Sequence, residues 1–254
     1  MWTAFTRAVS PNLGRCELTH LDRTSIDVEL AAAQHACYEA ALTELGCQIE
    51  RLPELPEQPD SVFVEDTALV LDELAVVTRP GALSRRLETT TVAAALARVR
   101  TVSEITAPGT LDGGDVVVVG HQIFVGKSGR SNAAGVTQLR SFVSGAGYEV
   151  HSVDVDGCLH LKSAATCIAP GALLLNPDWV DVSAFEDFDC LEIDPAEPFA
   201  ANVVRVGERL LHTDAFPRTH TRLKERGFAV RSVDVSELAK AEGALTCCSL
   251  LVRQ

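Results

Sequence analysis

The sequence predicts an α/β fold of five strand–strand–helix–strand (ββαβ) units closed into a ring, the fifth completed by bringing the two chain ends together. Three observations predict it. An apolar hairpin, an amphipathic stretch and a short apolar strand recur in that order along the chain. The residues opening the hairpins, Asp66, Asp112, His160, Asn202 and Cys247, stand 46, 48, 42 and 45 positions apart. The junctions into the last strand, GCQIERL, GYEVHSV and GFAVRSV, share a spacing. Their leading Gly46, Gly147 and Gly227 fall where the residue after a helix takes positive φ.

Each element follows from its local pattern. From Glu65, EDTALVLDELAVVTRP is two apolar runs around a polar break, a hairpin signal. RRLETTTVAAALARV (85–99) then spaces its apolar residues by three and four, as an amphipathic surface helix does, and VSEITAP is a short strand. DGGDVVVVGHQIFVGK, AAGVTQLRSFVSGAG and YEVHSVDV repeat the order from Asp112. HLKSAATCIAPGALLLNP, a weaker helix at VSAFEDF, and CLEIDP repeat it from His160. NVVRVGERLLHTDAFPR, the surface helix at 217–226 and FAVRSVDV follow from Asn202. CCSLLVRQ then ends the chain as half a hairpin, whose partner is AFTRAVSP at the N-terminus, followed by IDVELAAAQHACYEAALTELG and CQIERLP. Units of this kind bury their faces only against neighbours, so a single domain over 1–254 is expected rather than two.

Composition narrows the function. Of 254 residues, 46% are hydrophobic and 22% charged, the balance of a globular protein. Lys and Arg number 22 against 35 Asp and Glu, a formal charge of −13, which repels phosphate backbones and favours small cations as ligands; no nucleic acid partner is expected. MWTAFTRAVSP carries no signal-peptide pattern and no apolar run is long enough to span a bilayer. Eight scattered cysteines without a Cys-x-x-Cys pair read as reduced thiols in a cytoplasmic protein.

Closing the ring gathers its opening residues around one axis: Glu65–Asp66, Asp112, His160, Ala201–Asn202 and Cys247. Taken singly, each has a structural reading: a buried small hydrophobe for Cys247, a satisfied core histidine for His160, a turn at LDGGD, solvated charge at FVED. Together they supply a nucleophile, a base and carboxylates. The thiolate of Cys247 would attack, favoured by a cationic substrate. His160 would carry protons and Asp112 would orient it. No GxGxxG supports a dinucleotide cofactor, and Cys247–Cys248 matches no usual zinc-ligand spacing, so neither cofactor nor metal is expected.

These residues lie in stretches that carry a resemblance: CELT (16–19), PDSVFVEDTA (59–68), TRPGALSRR (78–86), TLDGGDV (110–116), FVGKSGRSNAAG (124–135), LHLKS (159–163), AAN (200–202) and LTCCS (245–249). In this order, over nearly the whole chain, they resemble the dimethylarginine dimethylaminohydrolases of the guanidine-modifying pentein superfamily. The resemblance implies a five-fold pseudosymmetric α/β propeller and hydrolysis of Nω-methylated arginines to citrulline and methylamines through a covalent thiouronium on Cys247. It assigns His160 as acid and base, and Asp112 as its orienting carboxylate. It gives Glu65 and Asp66 to the guanidinium. Asp60 and the carbonyls of Leu18 and Ala241 go to the α-amino group, and Arg85 and Arg130 to the α-carboxylate. Residues 12–22 correspond to a mobile lid, and relatives carry a larger aliphatic where Ala241 stands. The partner is then a small guanidino amino acid, with no membrane; a homodimer stays open, as does the role of residues 212–219. Arginine deiminase or amidinotransferase chemistry is the nearest alternative. A non-catalytic pentein that binds another macromolecule is the other, and it predicts loss of the Cys, His or Asp, all of which are present.

Overall fold

The computed structural model describes residues 1–254. In chain order the elements are β1 (Trp2–Thr6), α1 (Val28–Glu44) and β2 (Cys47–Arg51); β3 (Ala68–Val70), β4 (Leu74–Val77), α2 (Thr89–Leu96) and β5 (Thr101–Glu104); β6 (Val116–Val119), β7 (Gln122–Lys127), α3 (Ala133–Val143) and β8 (Glu149–Asp154). There follow α4 (Leu161–Ala164), β9 (Ala165–Ala169), β10 (Ala172–Leu175) and β11 (Asp189–Glu192); β12 (Val204–Val206), β13 (Arg209–Thr213), α5 (Pro217–Glu225) and β14 (Ala229–Val233); and α6 (Ser236–Ala239) with β15 (Leu250–Arg253). They form five three-stranded sheets, each with an antiparallel hairpin and a third strand parallel to the middle one. The fifth is assembled from both ends, as expected: β15 runs antiparallel to β1, from Trp2 opposite Arg253 to Phe5 opposite Leu250, and β2 runs parallel to β1.

Gly46, Gly147 and Gly227 have φ of 99°, 80° and 94°, the left-handed turn that ends a helix and sends the chain back along its sheet. Asp27 and Asn132 cap α1 and α3 by accepting from the N–H of Leu30 and Gly135. Two expectations are corrected. The segment after β10 forms only a 3-10 turn, Val182–Phe185, which Asp181 caps through Ser183 N–H; the bridge of Val180 to Val155 and the start of β11 at Asp189 leave only 181–188 between them, too short for a stable longer helix. Residues 85–99 do not make one surface helix. Leu83–Glu88 is 3-10 and draws Arg85 and Glu88 inside before α2 begins, because their charges find buried partners there.

Apolar side chains fall into five clusters, and each joins two successive sheets. Alternation along β6 shows why: Val116 packs toward β3–β4 residues, whereas Val117 and Val119 pack toward β9–β10 residues. One cluster unites Phe5, Leu250 and Val252 with Ala68, Ala75 and Leu96, so the sheet made of both chain ends packs on the sheet that follows it. Another seats Tyr38, Ala41 and Leu42 of α1 against Val204, Val206 and Leu211. No helix is long and apolar enough to cross a membrane.

Most sheets are preceded by a single tight helical turn: Val64–Thr67, Gly113–Asp115, α4 and Thr246–Cys248. The hairpin-opening residues therefore sit on or beside turns, not in strands. At Gly113 a Cβ would stand 2.0 Å from the Glu65 carbonyl oxygen, and at Gly114 one would stand 2.6 Å from His160 Nδ1. Only glycine lets these turns approach. Gly113→Ala should cost about 3 kcal/mol or more and lower Tm by roughly 6–12 °C. Gly145→Ala, where a Cβ meets nothing within 4 Å, should leave the melting curve unmoved.

Candidate active site

The turns deliver their side chains to one small cavity walled by Glu17, Asp60, Phe63, Asp66, Arg85, Arg130, Leu159, His160, Glu242, Gly243 and Cys247. His160 precedes α4 and is 5% exposed; its Nε2 lies 3.1 Å from Asp112 Oδ2 and its Nδ1 3.8 Å from Asp66 Oδ1. Burial alone would push its pKa down. Asp66, Asp115 and Asp112 overcome that and carry it up to about 9, so the ring is an imidazolium at neutral pH. Asp112 Oδ1 accepts from Gly81 N–H at 2.8 Å, which fixes the carboxylate that faces the imidazole. Asp66 is buried, yet His160 and Arg85 hold it down to about 2, with a hydrogen bond from Gly114 N–H at 3.0 Å. Asp66, Asp112 and His160 each place an oxygen or ring nitrogen within 4.8 Å of the others, and these atoms are already turned to one another and to Arg85.

Cys247 is partly exposed in the wall of this cavity, while Cys248 points away into the apolar cluster under α1. Burial, then Glu65 and Asp66, push the Cys247 thiol well above the usual range. A cation placed among these carboxylates reverses the last two effects, so ionisation of the sulfur is tied to arrival of positive charge.

The structure sorts the remaining candidates. Asp60 takes Glu17 N–H on both oxygens at 3.2 Å, and its burial raises its pKa to about 6. Arg130 donates to Thr19 Oγ1 at 2.9 Å and lies 3.9 Å from Asp112. Arg85 reaches the cavity, but Glu88 (2.8 Å), Asp66 and the Phe63 carbonyl (2.8 Å) already hold its guanidinium. Glu65 is displaced from its expected place. It is not in the cavity wall; its oxygens accept from Lys162 Nζ and Thr246 Oγ1, each at 2.6 Å, behind the site. Paired side chains satisfy a carboxylate too deeply buried to stand alone. Leu18 and Ala241 are likewise absent from the wall, which their neighbours Glu17 and Glu242 form. Residues 212–219 do not reach this cavity; Thr213, Ala215 and Phe216 line a larger one of about 240 Å³ beside it.

Several contributors escaped sequence reasoning. Lys162, Thr246 and Asp115 sit within LHLKS, LTCCS and LDGGDV, so the motifs held the signal although the roles were not drawn from it. Asp115 accepts from Leu161 N–H and from the hydroxyls of Ser128 and Ser131, tying the turn at Gly113 to the one at His160. Glu242 gave no signal.

Five three-stranded units, four of them with an α-helix before the third strand, converge a thiol, an imidazolium, carboxylates and arginines on one cavity and place the chain in the guanidine-modifying pentein superfamily. No family model matches the chain. It is 41% identical over 253 residues to N(G),N(G)-dimethylarginine dimethylaminohydrolase of Streptomyces coelicolor, covering 99% of this chain and 97% of that one. With the enzyme of that name from Pseudomonas aeruginosa it shares 37% over 226 residues, 88% of this chain and 89% of the other. A cysteine-to-serine variant of the Pseudomonas aeruginosa enzyme, complexed with citrulline, superimposes with a TM-score of 0.93 at 34% identity over 99% of both chains. The chain belongs to the dimethylarginine dimethylaminohydrolase family.

The charge on His160 has a consequence for stability. Its pKa in the folded chain, about 9, lies above the ordinary 6.5, so its contribution is complete below pH 6.5 and is lost as pH rises through 9. The stability of the wild type relative to His160→Asn, from urea unfolding, should therefore shrink by about 3 kcal/mol between pH 6.5 and 9.5.

Proposed function

We propose that this protein hydrolyses Nω-methylated arginines to citrulline and a methylamine. The observation that carries this reading is His160, backed by the buried Asp112 at 3.1 Å, in the same cavity wall as Cys247, Asp60, Asp66 and Arg130. Family membership supports it. The accompanying architecture is a five-fold pseudosymmetric α/β propeller over residues 1–254, supported by the apolar clusters that link each sheet to the next and by the pairing of β15 with β1.

In the proposed course the substrate guanidinium settles against Asp66. Its charge offsets the carboxylates that keep Cys247 protonated, and the thiol ionises, its proton passing to solvent. Asp60 takes the α-ammonium, and Arg130, with a planar fork of donors, takes the α-carboxylate. Arg85 holds Asp66 and Glu88 in place at the cavity edge. The thiolate forms a bond to the guanidinium carbon. The C–N bond to the methylated nitrogen then breaks as His160 gives that nitrogen its proton, leaving an S-alkylthiouronium and a free amine. Neutral His160 next takes a proton from water, whose oxygen adds to the same carbon. Rupture of the C–S bond, with the hydroxyl proton passing to the departing sulfur, releases citrulline and restores the thiol. The Glu65–Lys162–Thr246 set behind the cavity keeps its floor rigid.

Citrulline formation from dimethylarginine, monomethylarginine and arginine tests the reading. Methylated substrates should turn over, Cys247→Ser should abolish the activity, and Cys248→Ser should keep most of it. Activity on arginine alone would make the protein a deiminase, and equal loss in both serine variants would remove Cys247 from its role. The pH profile of kcat/KM for dimethylarginine should be bell-shaped, falling below about 6 as Asp60 protonates and above about 9 as His160 loses its proton. Asp60→Asn should flatten the acid limb only.

A further inference from the structure

The cavity around Cys247 leaves about 20 Å³ free, room for roughly one water. An amino acid of arginine's size enters only if part of the wall moves. The tip of the segment over it, residues 12–22, is held by Ser84, whose hydroxyl donates to the Glu17 carboxylate at 2.6 Å, and by three further sets of contacts. Glu17 N–H donates to Asp60, and Thr19 Oγ1 accepts from Arg130. Those two partners are the groups proposed to grip the substrate's ammonium and carboxylate, so substrate competes with the segment for both.

The third contact has no such rival. The carboxylate of Glu242 accepts the backbone N–H groups of Thr19, His20 and Leu21, at 3.0, 2.5 and 2.6 Å. Three successive N–H groups converging on one carboxylate form an anion nest, and the full negative charge strengthens each bond. Glu242 also has φ of 57°, the only non-glycine residue at positive φ in the chain. An L side chain takes that conformation at a cost, and glycine would take it freely. What glycine lacks is the carboxylate.

We infer that Glu242 is a positioning residue, the latch that keeps residues 19–21 over the site while substrate replaces the segment's own groups at Asp60 and Arg130. The inference rests on the proposed function for its effect on turnover. Glu242 and Gly243 belong to the walls of both the small cavity and the 240 Å³ cavity beside it, and His20 and Leu21 line the larger one. Lifting the latched segment merges the two spaces. With the latch made, bound substrate is enclosed; with it broken, substrate leaves faster, so the effect falls on KM.

Glu242→Gln keeps the size but removes the charge, and Glu242→Gly removes the side chain while relieving the backbone. Hydrogen exchange of the peptide covering residues 17–23, global Tm, and steady-state kinetics with dimethylarginine are measured for both. Exchange at residues 19–21 should speed up by about tenfold or more in each variant. KM should rise about tenfold, with a smaller change in kcat, and Glu242→Gly should melt no lower than wild type. Unchanged exchange and KM overturn the latch. So does exchange that accelerates across the whole chain with a lowered Tm in both variants. A wild type silent on methylated arginines overturns the proposed function instead, and the exchange rates alone then decide the latch.

Discussion

A three-stranded sheet with apolar side chains on both faces cannot stand alone in water. That constraint governs the molecule. Each sheet here sends alternate side chains to the neighbour before it and the neighbour after it, as Val116 and Val117 of β6 do. A fully buried valine contributes about 1.5–3 kcal/mol only when both sides are covered. Sequence neighbours alone cannot cover the first and last units, so β15 must return to β1. Everything chemical follows from this closure, because turns nearly fifty residues apart in the chain meet at one end of the assembly.

The second organising force is electrostatic. Glu65, Asp66, Glu88, Asp112 and Asp115 are buried in and around the cavity, and the cations set against them are His160, Arg85, Lys162 and Arg130. Burial raises the pKa of Glu65 and Asp115, whereas Asp66 is kept charged by its partners. The site thus rests with more acidic than basic groups, and the missing positive charge is what the proposed guanidinium brings. The same imbalance that keeps the sulfur protonated at rest would confine the nucleophilicity proposed for it to the occupied site.

The repeat was legible because hairpins, amphipathic spacing and the glycines at 46, 147 and 227 are local signals. The meeting of His160 with Asp112 was legible because equivalent positions in a ring are neighbours. Partner choice was not. Glu65 looks the same in sequence as Asp66, yet one turns behind the cavity to Lys162 and Thr246 while the other faces it. Arg85 reads as a surface helix residue until Glu88 and Asp66 draw it inward. The turn at Val182–Phe185 escaped because a helix confined to the few residues between the Val180 bridge and β11 has too few hydrogen bonds to offset its nucleation. Glu242 was invisible because its φ and its three N–H partners exist only once residues 19–21 have folded across it.

The pairing of the two chain ends also sets an order of events during synthesis. Gln254 donates from its side chain to Thr3, 251 positions away, and its backbone N–H bonds to the Met1 carbonyl at 2.9 Å. Contacts of such sequence separation form late, since the intervening chain must be organised first. While the polypeptide emerges from a ribosome, β1 therefore waits with one edge unpaired and the sheets behind it assemble as an open arc. Cys247 lies in the turn immediately ahead of β15, so the cavity gains its thiol only once β15 has paired with β1.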